Sequence, residues 1–256
     1  MNAYLYYAKG MKPTGRDLAR RLGIKFGRRL NAHMDEFVIF WGAEADVDFP
    51  ENRSLNRPEI TRGLHNKLNA LKKMRDGKVA VPRFTDNVRV ASTELTTPFM
   101  ARTAHHSGGQ GFFIIQNDPS MQQAVRGGAA YFQQLVDIKD EYRLHVFKDR
   151  IIRAAKKYED PDPNVASDPI IRSHQKGWLL QIVQVSAVPK SVKQEARKAI
   201  AALGLDFGAV DACMDKKKKA WVFEVNTAPG MEGITLDRWT EVLAAHLDAA
   251  KVTRRT

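Results

Sequence analysis

The chain has little cysteine, few acidic side chains for its number of basic ones, and no long apolar run. Cys213 is the only cysteine, which excludes an intramolecular disulfide and a cysteine-built zinc site. The expected role of such a lone thiol is a small buried hydrophobe. No apolar run approaches the ~20 residues that a membrane-spanning helix needs. The N-terminal stretch MNAYLYYAKGMKPTGRD has neither a charged leader nor a small-residue cleavage site, so no signal peptide is expected. A cytoplasmic setting with no membrane partner is the resulting expectation. Asp and Glu number 29 against 41 Lys and Arg, a net charge of +12. That excess points to an anionic partner: nucleotide, acidic substrate or nucleic acid. Charge alone does not choose among them.

Hydrophobic residues at 43% and charged residues at 27% are ordinary for a globular enzyme. The length of 256 residues allows one large domain, or two to three small lobes around a cleft. Residues 16–30 read as a basic helix, and Phe37 to Trp41 (FVIFW) as a buried strand. A polar stretch with Pro50 and Pro58 reads as a connection. From Arg62 to Asp76, Leu64, Leu68, Leu71 and Met74 recur at helical spacing, and Gly77 is placed to end that helix in a left-handed cap. VAVPRFT reads as a strand. TPFMARTA, the glycine-rich segment 105–111 and FFII read as strand, loop, strand. Residues 131–158 read as two strands about a turn at 148–150, and residues 190–203 as a helix. AVDACM and KAWVFEV read as strands joined by a solvated lysine turn (Lys216 to Lys219), and the last helix runs from about Leu236 to Ala250.

Three groups of residues could carry chemistry. Asp211 lies on one of the last two strands, with Glu224 and Asn226 on the other, two apart and so on one face. Three hard oxygen ligands of this kind suit magnesium, which completes its shell with water and phosphate; hydrogen-bonded polar residues are the competing reading, and spacing leaves both open. The loop at 105–111 lets backbone N–H groups approach phosphate. It is neither a Walker loop, lacking the Gly-Lys-Ser/Thr ending, nor a dinucleotide fingerprint, since a strand follows it. Lys67, Arg102, Arg143, Lys156 and Arg172 are cations that each read singly as surface charge but together could neutralise a triphosphate. His105 and His106 read as polar loop-tip residues, and Trp41 and Trp178 as packing near a cleft.

In this order the elements resemble the ATP-grasp superfamily, nearest the branch of the ribosomal protein S6 glutamate ligase and its bacteriophage-encoded relatives. The most specific stretch is ALGLDFGAVDACM…AWVFEVNTAPGMEGI, residues 202–234. The likeness covers about residues 62–250. It implies an α+β ATP-grasp fold: two α/β lobes gripping ATP (62–132, and 133–256 with the metal site) after a short α/β lobe (1–61). It makes Asp211, Glu224 and Asn226 ligands of one or two Mg2+ ions, with Mn2+ able to substitute. Lys67 and Arg102 become phosphate ligands, Arg102 standing where the family usually has lysine. Ser107, Gly108, Gly109 and Gly111 become the phosphate loop, and Gln133, Gln134 and Leu135 the adenine hinge. Arg143 and Arg172 are then the catalytic pair at the reacting carboxylate. Lys156 (or Lys157) lies near phosphate, and His174 replaces the usual asparagine of the nucleotide site. The implied reaction is an ADP-forming carboxylate–amine ligation, possible also with a polyanionic or nucleic-acid acceptor. A phosphoryl-transferring kinase of the same fold and a basic nucleic-acid-binding protein are the alternatives. Which carboxylate and amine are joined, and the oligomeric state, stay open.

Overall fold

The computed structural model describes residues 2–7, 12–30, 33, 35–105 and 111–253. The first unit is a parallel sheet of β1 (Ala3–Tyr7), β2 (Lys25–Gly27), β3 (Phe37–Trp41) and β4 (Ser54–Leu55), in the order β2-β1-β3-β4. Every residue of β3 is buried, as its continuous apolar run requires of a central parallel strand. The helix α1 (Lys12–Leu22) is shorter than the basic helix expected over 16–30. Gly23 takes a left-handed φ of 65° and turns the chain, so Lys25–Gly27 pairs with β1 instead of continuing the helix.

After the short helix α2 (Pro58–Thr61), α3 (Lys67–Asp76) begins later than its periodicity suggests. Asn66 sets the start: its side chain accepts from Leu68 N at 3.0 Å and Asn69 N at 3.3 Å. Gly77 is not left-handed (φ −78°); the positive φ falls one residue later, at Lys78. Glycine is needed at 77 for closeness, since a Cβ there would lie 2.4 Å from Ala202 Cβ.

The middle sheet contains β5 (Phe84–Thr85), β6 (Phe99–Arg102), β7 (Phe112–Ile115) and β8 (Tyr131–Gln134) in the order β5-β8-β6-β7. The strand expected over VAVPRFT shrinks to Phe84–Thr85. Two short helices, α4 (Val88–Glu94) and α5 (Asp118–Arg126), escaped the periodicity. Their signals are in the caps: Asn87 accepts from two backbone N–H groups, and Asn117 with Ser120 forms a capping box.

The large sheet is antiparallel: β9 (Ile138–Phe147), β10 (Arg150–Glu159), β11 (Trp178–Val183), β12 (Phe207–Asp215) and β13 (Ala220–Asn226), in the order β11-β10-β9-β12-β13. α6 (Lys190–Ala202) and α3 cover one face. There Leu71 and Met74 meet Val192 and Ile200 over Leu144, Val210 and Val222. α3 therefore buries its apolar side in the core of the large sheet. The final helix, α7 (Gly233–Thr253), joins the first sheet to the large one: Trp239 is fully buried among Trp41, Phe147 and Phe207. Trp178 is buried with its indole N–H donating to Asp168 O at 2.8 Å, and Cys213 is fully buried as expected of it. No helix among the described residues is long and apolar enough to cross a membrane.

Candidate active site

Strand alternation leaves the other face of the large sheet polar where β9, β12 and β13 run side by side. The register sets Glu224 opposite Asp211, and Asp211 opposite Arg143, so the three form one row across the sheet. Arg143 grips Asp211 with both arms of its fork, Nε to Oδ1 and Nη2 to Oδ2 at 2.7 Å each. This contact holds the Arg143 guanidinium firmly protonated. Asn226 Nδ2 donates to Glu224 Oε1 at 3.0 Å, and Lys67 Nζ approaches Glu224 Oε2 at 3.3 Å from the first turn of α3. Burial pushes the Glu224 carboxyl up, but Lys67, Arg102, the Asn226 amide and Arg143 outweigh it and bring it down to about 2. The carboxylate is thus ionised throughout the neutral range.

These side chains lie in a cavity of about 1470 Å³ where all three sheets meet. That exceeds the ~300–1,000 Å³ of a site for one small ligand. The middle sheet supplies Met100, Arg102, Gln133 and Gln134, and the chain after it Leu135 to Ile138. Arg102 hydrogen-bonds Tyr131, whose phenol burial pushes up to about 12, and stacks over Phe112 at 5.6 Å. Gln133 is buried, with its amide nitrogen unpartnered at the cavity wall. The Gln134 side chain is committed elsewhere: it accepts from Thr96 N at 2.8 Å and donates to Thr96 O at 2.9 Å. Arg172 lines the cavity with its guanidinium 4.4 Å above the Trp178 ring and Nη2 donating to Ile138 O at 3.3 Å.

Two expected residues lie elsewhere. Lys156 is on the opposite side of β10 and pairs with Asp140 at 2.6 Å; its neighbour Lys157 faces the cavity. Strand alternation allows only one of two adjacent residues on a face. His174 opens an exposed one-turn 3-10 helix (His174–Lys176) away from the cavity lining. Ser107, Gly108 and Gly109 fall outside the described residues, as does His106. Gly111 is described, at φ 62°, where a Cβ would meet Thr103 Oγ1 at 2.3 Å. Sequence reasoning missed the buried pair Lys157–Glu141 at 2.5 Å, whose lysine also donates to Arg172 O at 2.6 Å. It also missed Lys216, which leaves the lysine turn to line the cavity and pair with Asp137 at 2.8 Å. Carboxylate–cation pairs across neighbouring strands are legible only once the register is known.

Among the described residues, no three His, Cys, Asp or Glu side chains gather at one point. A cation here would have two carboxylates, Asp211 and Glu224, and the Asn226 amide oxygen. That donor set of hard oxygens, with Glu224 ionised, fits magnesium. Arg143 and Lys67 supply the positive charge beside these carboxylates.

No protein-family model matches the chain. D-alanine–D-alanine ligase B of Pseudomonas putida is 23% identical over 153 residues, 55% of this chain and 46% of that protein. The match thus spans about half the length of this curated relative. A solved D-alanine–D-alanine ligase from Bacillus anthracis superposes with a TM-score of 0.71 at 12% identity, covering 100% of this chain and 99% of that one. The ATP-grasp ligase PsnB, solved with minimal precursor, Mg and ADP, gives 0.66 at 14% identity over 97% and 96%. At these identities the likeness carries the fold alone, which is the α+β ATP-grasp fold of these ligases.

Proposed function

We propose that the chain is an ATP-dependent ligase that joins a carboxylate to an amine through an acyl-phosphate, with ADP and phosphate as products. The supporting observation is the row Glu224–Asp211–Arg143, faced by Lys67 in a cavity between three sheets and large enough for a nucleotide and a second substrate. Lys67 and Arg102 hold the phosphates, and the hinge from Gln133 to Leu135 receives the base. Arg172, with Lys157 against its carbonyl, directs the reacting carboxylate. An oxygen of that carboxylate attacks the γ-phosphorus, and the β–γ bridging bond breaks to release ADP. The amine then attacks the acyl carbon, phosphate leaves and the amine loses a proton. Asp211, Glu224 and Asn226 would hold magnesium, which neutralises phosphate charge when bound. No side-chain nucleophile is needed, so positioning and charge neutralisation carry the rate. The motif order supports a place near the ribosomal protein S6 glutamate ligase branch, with residues 1–61 contributing to acceptor binding.

The test is ADP release from ATP and magnesium across a panel of carboxylates and amines, with hydroxylamine added in parallel. ADP release that depends on one carboxylate, with hydroxamate formed from it, is the expected result. Phosphorylated product without hydroxamate would favour a kinase, and failure to bind nucleotide at all would overturn the reading.

A further inference from the structure

β11 is one of the two outer strands of the large sheet. Edge strands are commonly blunted by charge, proline or a bulge. Trp178–Val183 (WLLQIV) has neither charge nor proline, and its pairing with β10 is regular. Beyond its bonds to β10, the backbone of Leu179–Val183 has no hydrogen-bond partner among the described residues. Eight large apolar side chains are exposed among the described residues, and two of them, Leu180 and Ile182, lie on this strand. Leu180 is 42% exposed and Ile182 45%. Leu180 and Ile182 are two apart on the strand and so share one face, and adjacent exposed apolar side chains mark a binding surface more often than scattered ones do.

The register fixes which face these residues occupy. Ile182 stands opposite Ala155, which stands opposite Arg143, which stands opposite Asp211. Leu180 stands opposite Lys157, and Lys157 pairs with Glu141. The exposed pair therefore shares the face of the candidate active site and extends its row to the sheet edge, while Ile170 lines the cavity itself. From these observations, and resting on the ligase reading above, we infer that β11 docks one substrate as an extended peptide, added to the sheet as a further strand. The open backbone edge is satisfied by another extended backbone, and alternate apolar side chains of that peptide lie beside Leu180 and Ile182. An added strand sits ~4.8 Å beyond β11, three strand spacings or ~14 Å from Arg143. About four further residues of extended chain cover that distance. The peptide's carboxylate then passes over Ile170 toward Arg172 and Arg143, which accounts for a cavity larger than a nucleotide alone requires.

The test uses the whole chain and a labelled peptide, fluorescein-Val-Thr-Val-Thr-Val-Gly-Gly-Gly-Glu, read by fluorescence anisotropy without ATP. The same peptide with alternate amides N-methylated is the backbone control. Thermal shift on ATP and magnesium is recorded separately. Wild type is expected to bind the peptide. N-methylation, Leu180→Lys and Ile182→Lys should each weaken binding roughly tenfold or more, the scale of one or two lost hydrogen bonds or an apolar contact. Val125→Lys, at an equally exposed apolar position on α5, should not. No binding by wild type, or equal binding of the N-methylated peptide, overturns the inference. So does a wild-type dimer in light scattering that Leu180→Lys dissociates, because a second copy would then occupy the edge. Peptide binding of the expected pattern without any thermal shift on ATP would support the docking edge and sink the ligase reading alone.

Discussion

Glu224 is held as a carboxylate against its own burial. Removing its charge while keeping its shape tests whether that charge serves chemistry. Glu224→Gln should fold and melt cooperatively while ADP release falls by on the order of 10²-fold or more, the scale for losing a group that stabilises transition-state charge; unchanged turnover would remove Glu224 from the site. A different residue contributes to the acid response. His145 is buried, its Nδ1 accepts from Trp239 Nε1 at 3.0 Å, and burial brings its ring down to about 4 from an ordinary 6.5. Because the folded value lies below the unfolded one, its contribution is complete above pH 6.5 and is lost as pH falls toward 4. His145→Gln supplies an acceptor that does not titrate in this range. Its melting temperature should fall less between these two pH values than that of wild type, and identical profiles would show that His145 is not the group responsible.

At the scale of elements, α3 places Lys67 over Glu224, so its two ends matter to the site. Its N-terminus is fixed by Asn66 and its C-terminus by the close approach of Gly77 to α6. Gly77→Ala would set a Cβ 2.4 Å from Ala202 Cβ, with Ala202 Cα only 3.3 Å away. Overpacking of this sort costs about 1–3 kcal/mol, to be read as a lower urea midpoint with unchanged slope. A neutral result would mean that the helices separate freely. The glycine was legible in the sequence as a helix stop. The reason for it was not, because a contact between residues 77 and 202 leaves no local pattern. Asp211, Glu224 and Asn226 could be found because two neighbouring strands with a short turn preserve their spacing. Lys157 was harder to tell from Lys156. β10 carries a register irregularity between Ile151 and Arg153, and counting alternate residues along the sequence does not reveal it.

At the scale of the molecule, one aromatic cluster ties the first sheet to the large one. Trp239 lies fully buried with Trp41 and Phe207, each from a different element. Trp239→Ala should cost about 3–5 kcal/mol and lower the single unfolding transition as a whole. Two separated transitions in calorimetry would instead mean that the first unit folds apart from the rest.

The sequence by itself determined the buried strand Phe37–Trp41, the two strands of the last hairpin and the placing of Asp211, Glu224 and Asn226 on them, because those depend on residue type and short spacing. The tertiary structure decided which cation meets which carboxylate: Arg143 with Asp211, Lys157 with Glu141, Lys67 with Glu224. It also decided that Leu180 and Ile182 share the face of the site. Those pairings depend on strand order, register and bulges, which are set by packing between residues far apart along the chain.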